Sequence, residues 1–99
     1  MSINKLIDLV HRRTRELLPK YNVTRIYFAN AASSVVYFFL DEDLAPEHLA
    51  AVRVHLIRTF EDYSDEFKVV VVPKTNHVII HSNMYLIWKK GAGFIGKFK

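Results

Sequence analysis

Five histidines and ten carboxylates have the widest chemical repertoire in this 99-residue chain. His77 and His81 stand four apart, the spacing that puts two metal ligands on one face of a helix. Val78-Ile79-Ile80 between them favours a strand, where the two imidazoles would lie about 13 Å apart and could not share one ion. His48 and His55 are seven apart and His11 sits among basic residues; all three are expected at the surface. Asp41-Glu42-Asp43 could suit a hard cation, but carboxylates ahead of a helix commonly complement its dipole. Ser33, Ser34 and the histidines show no local nucleophile–base spacing. With no cysteine there is no thiolate, disulfide or Cys-type metal site. The expectation is a non-enzymatic protein with no catalytic residue, metal or cofactor.

Gly91-Ala92-Gly93-Phe94-Ile95-Gly96 matches the dinucleotide pattern G-x-G-x-x-G letter for letter. That pattern needs a helix after it and an acid about 20 residues on, and neither is present. What remains is glycines alternating with Phe94, Ile95 and Phe98 and flanked by Lys89, Lys90, Lys97 and Lys99. Apolar anchors among basic residues suit a segment that folds onto a surface. Residues 1–90 are therefore read as one domain and 91–99 as a basic, docked tail.

Charge divides into three blocks. Lys5, Arg12, Arg13, Arg15, Lys20 and Arg25 outweigh Asp8 and Glu16 over residues 1–40 by +4. Eight acids against Arg53 and Arg58 give −6 over 41–66, and six lysines with no acid give +6 over 67–99. Attraction to polyanions would thus belong to the first helix and the tail, through Arg12, Arg13, Arg15, Lys89, Lys90, Lys97 and Lys99. No apolar stretch approaches the roughly 18–20 residues of a membrane span, and no secretory signal is visible, so a cytoplasmic location is expected.

These residues must be positioned by a small α+β domain. Ile3, Leu6, Ile7, Val10, Thr14, Leu17 and Leu18 recur at three- and four-residue spacing behind Ser2, a good N-cap. This predicts a helix ending near Leu18, since Pro19 disfavours helix in the residue before it. Two β-rich runs, 23–29 and 35–40, flank a short polar connection and read as a hairpin. Pro46 opens a second helix with Leu49, Val52, Leu56, Ile57 and Phe60 on its inner face. Phe67–Val72 and His77–His81, joined by Pro73-Lys74-Thr75-Asn76, read as a second hairpin, and 84–89 as either strand or helix. The result is a two-layer sandwich: two helices on one face of a four- to five-stranded antiparallel sheet, in the order α-β-β-α-β-β. A crossover through the second helix sets the third strand parallel to the second. Placed beside the first, it gives the strand order 2-1-3-4.

Alternation then assigns Ile26, Phe28, Val36, Phe38, Leu40, Phe67, Val69, Val71, Val78 and Ile80 to the core. Arg25, Tyr27, Val35, Tyr37, Phe39, Lys68, Val70, His77, Ile79 and His81 face away. An apolar, aromatic second face marks an interface, or a surface covered by the tail. The expected function is a small binding protein of adaptor or inhibitor type, with the homodimer as one form. Tyr27, Tyr37, Phe39, Ile79, Phe94 and Phe98 would contact the partner. The alternative is a nucleic-acid-binding module using the basic helix and tail.

Overall fold

The computed structural model describes residues 1–30, 33–76, 78, 80 and 83–95. Ser2 accepts a hydrogen bond from the Lys5 amide and caps α1 (Ile3–Thr14). The helix stops at Thr14, earlier than the sequence spacing predicts. A separate turn, α2 (Leu17–Lys20), follows. Pro19 lies inside α2 rather than ending a helix, because a first turn has no intrahelical use for the proline's missing amide. Asn22, at φ 53°, then reverses the chain in a conformation asparagine tolerates.

β1 (Val23–Asn30) and β2 (Ser34–Leu40) form the expected antiparallel hairpin. Pro46 opens α3 (Pro46–Thr59), and a 3-10 turn at Glu61–Tyr63 leads to β3 (Lys68–Val72). β4 (Met84–Lys89) and the two-residue β5 (Gly93–Phe94) complete the sheet. Its order is β3-β2-β1-β4-β5. Thus β3 lies beside β2 and parallel to it, not beside β1, and the sheet is mixed. An uninterrupted run, Val69 to Val72, suits a parallel strand reached by a helical crossover. The place expected for the third strand belongs to β4, antiparallel to β1. Among the described residues no strand pairs with β3 on its other side, and neither Val78 nor Ile80 is in a strand. His77, Ile79 and His81, the rest of the expected hairpin arm, lie outside the described residues.

α1 and α3 share one face of the sheet with a single core: Leu6, Val10, Val52 and Leu56 meet Ile26, Phe28, Val36, Phe38, Val71 and Ile87. A bulge in β4 gives this core Ile87 as well as Trp88. Leu40 and Phe67 are buried as expected, Val69 and Val78 are half-buried, and Ile80 is exposed. Ile57, assigned to the inner face of α3, is also exposed.

β3 and β4 run parallel, so the chain between them must return across β2 and β1. Pro73, Lys74, Asn76 and Val78 line a hollow with Arg25 and Phe39, which puts the start of this return on the face opposite the helices. Asp43 pins it by accepting hydrogen bonds from the Thr75 amide and hydroxyl, at 2.9 and 2.8 Å.

Candidate binding surfaces

Strand register arranges the second sheet face in rows. One row runs Val72, Phe39, Arg25, Lys89; the next Val70, Tyr37, Tyr27, Leu86; the third Lys68, Val35, Ala29, Met84. The first row lies beside the returning chain. Phe39 and Val72 are 7% and 2% exposed yet stand outside the main core. Arg25 lies over the Phe39 ring at 5.0 Å and the Tyr27 ring at 5.7 Å. Cover for the aromatic face thus comes in part from the β3–β4 connection, where the sequence suggested the tail. The second row remains accessible: Tyr37, Tyr27 and Leu86 are half-buried and Val70 is 37% exposed. Both tyrosines reach Phe39 in the first row, Tyr27 edge-on at 5.5 Å and Tyr37 tilted at 6.4 Å between ring centroids.

The start of the C-terminal segment, residues 91–95, goes to the other layer. Gly91 and Gly93 take φ values of 87° and 82°, which an L side chain rarely adopts, and turn the chain so that β5 pairs with β4. Gly91 and Gly93 of the G-x-G-x-x-G match therefore serve a hairpin. Phe94 stacks on His11 of α1 with ring centroids 4.5 Å apart, and packs on Trp88 at 6.3 Å. It packs against the core of its own domain. Phe98, Lys97 and Lys99, like Ile79, lie outside the described residues.

Of the three arginines offered for polyanion contact at the end of α1, Arg12 and Arg15 are exposed, while Arg13 is half-buried and paired within the domain. Its guanidinium donates to both Asp62 carboxylate oxygens, at 2.5 and 2.8 Å, and to the Thr59 carbonyl at 2.9 Å. It also lies 5.1 Å from the Tyr63 ring centroid. This pairing holds the Asp62 carboxyl below its ordinary range and raises Arg13. Asp43 is likewise lowered, by the Thr75 amide and hydroxyl. Arg13 is thereby a tie between α1 and the end of α3. The three arginines meet His55 and Thr59 around an open cleft of about 410 Å³, where His55 Nδ1 is hydrogen-bonded to the Tyr21 hydroxyl. Lys89 and Lys90 are exposed at the end of β4.

A third surface escaped the sequence reading. Val54 and Ile57 are 46% and 48% exposed on the outer side of α3, beside a shallow hollow of about 530 Å³ lined by Glu47, Ala50, Ala51, Val54, His55 and Arg58. The signal was present: α3 has apolar residues around most of its circumference, and its neighbours can bury only one stripe.

Among the described residues no group of three His, Cys, Asp or Glu side chains could hold a metal. None of the described helices is long and apolar enough to cross a membrane. Comparison with protein-family models, curated proteins and solved structures returns no match.

Proposed function

We propose that this chain is a non-enzymatic binding module that works by protein contact through the second face of its sheet. The carrying observation is the cross-strand row Val70–Tyr37–Tyr27–Leu86, four apolar side chains set side by side by register. Adjacent rigid aromatics provide contact area at low entropic cost, and tyrosines supply polar tips as well. Adaptor and inhibitor roles both use such a surface. A second reading, single-stranded nucleic acid, draws on the Phe94–His11 stack, which brings the root of the lysine-rich C-terminal segment against the basic first helix.

A photo-reactive benzophenone residue in place of Tyr37, activated in the cells that make the protein, tests this reading. The expected adduct is a nuclease-resistant conjugate with another protein, and it disappears when Tyr27→Asp is added. An adduct that nuclease removes, or no adduct at all, would overturn protein contact at this face.

A further inference from the structure

The outer stripe of α3 differs from the sheet rows in being matched to itself. At roughly 100° per residue, Glu47, Ala50, Ala51, Ile57 and Arg58 all fall within about 60° of the direction of Val54. All six are exposed. The stripe has an acid near the helix N-terminus, two small residues, two larger apolar ones, and a base near the C-terminus. Among the described residues neither Glu47 nor Arg58 forms an ion pair.

We propose that two copies of this chain associate through this stripe, α3 against α3 in antiparallel sense, about a two-fold axis at the level of Arg53. One axis satisfies every position. Glu47 meets Arg58 of the second copy, Ala50 meets Ile57, and Ala51 meets Val54, each pair occurring twice as an isologous contact requires. Small residues opposite larger ones let the helices approach closely. A parallel pairing would instead set Glu47 beside Glu47 and Arg58 beside Arg58, with repulsion at both ends. Three turns of helix cover less than the roughly 800 Å² per partner of a standard interface, so association is weak and concentration-dependent. Its surface is separate from the sheet rows, and each can fail without the other.

Sedimentation velocity across a concentration series tests the pairing, with thermal melts confirming that each variant folds. The wild type shifts from monomer toward dimer below about 1 mM, the weak end of specific association. Val54→Asp stays monomeric, and Glu47→Lys and Arg58→Glu each weaken association about tenfold through like-charge contacts. An equimolar mixture of Glu47→Lys and Arg58→Glu regains wild-type association, because each variant offers the charge the other lacks. A wild type that is monomeric throughout, or a mixture no better than its separate components, would overturn the proposal.

Discussion

α1 and α3 lie on the same face of one sheet, yet they distribute their apolar residues differently. α1 has one apolar stripe, and Leu6, Ile7, Leu9 and Val10 are all buried. α3 buries Val52 and Leu56 and leaves Val54 and Ile57 in solvent. The fold needs one stripe from each helix. A second stripe on α3 therefore adds nothing to the monomer's core and is available to a partner. The same contrast divides the sheet, whose first face is mostly buried under the helices and whose second is covered only in part.

Paired substitutions within α3 test that contrast most strongly. Leu56→Ala removes a fully buried side chain and should cost about 2–5 kcal/mol, whereas Val54→Ala should cost less than about 0.5 kcal/mol. Denaturant midpoints measure both, and similar losses would mean that the outer stripe is structural. Phe94→Ala should fall between them, at about 1–2 kcal/mol, because the half-buried ring packs on Trp88 and His11. A negligible loss would mean that β5 does not contribute to the domain.

Smaller effects come from the ties between elements. Arg13→Ala should lower the midpoint measurably and Arg12→Ala should not, since only Arg13 bridges α1 to Asp62 and Thr59. Equal values for the two would contradict that bridge. The Asp62 and Asp43 carboxyls are held below their ordinary value of 3.8, so each contributes stability that is complete above that value and is lost as pH falls through its folded value. The stability gap between wild type and Asp62→Ala should be constant from about pH 5 to 8 and close on acidification below about pH 4. Midpoints taken across that range check the sign, and a gap that widens in acid would contradict it.

The features legible in the sequence were those fixed by local spacing. The Ser2 cap, the β1–β2 hairpin and the Pro46 start of α3 are each determined by a few adjacent residues, and alternation placed most of the β1 and β2 core. Strand order was harder, because both sides of the first hairpin offered a partner edge and local sequence does not choose between them. The position of β3 beside β2 follows from where α3 packs, a long-range matter. Arg13 was misread for the same reason: its partner Asp62 lies 49 residues away. Ile57 was placed inside because a helical period identifies apolar positions without saying which of two stripes meets the sheet. For the sheet face, alternation chose Tyr27 and Tyr37 correctly as outward-facing, but could not show that the β3–β4 connection would cover Phe39.

Tyr37→Asp, followed by folding stability and contact in the same samples, tests the central claim most directly. The charge lies mid-row on the second sheet face, away from the helices, so the melt should stay cooperative with a loss of about 1 kcal/mol from lower strand preference and partial burial. Cross-linking to protein from a benzophenone residue at position 27 should disappear. A loss of stability as large as that of Leu56→Ala, or undiminished cross-linking, would contradict the account: the row would then be part of the core, or the partner would be held elsewhere.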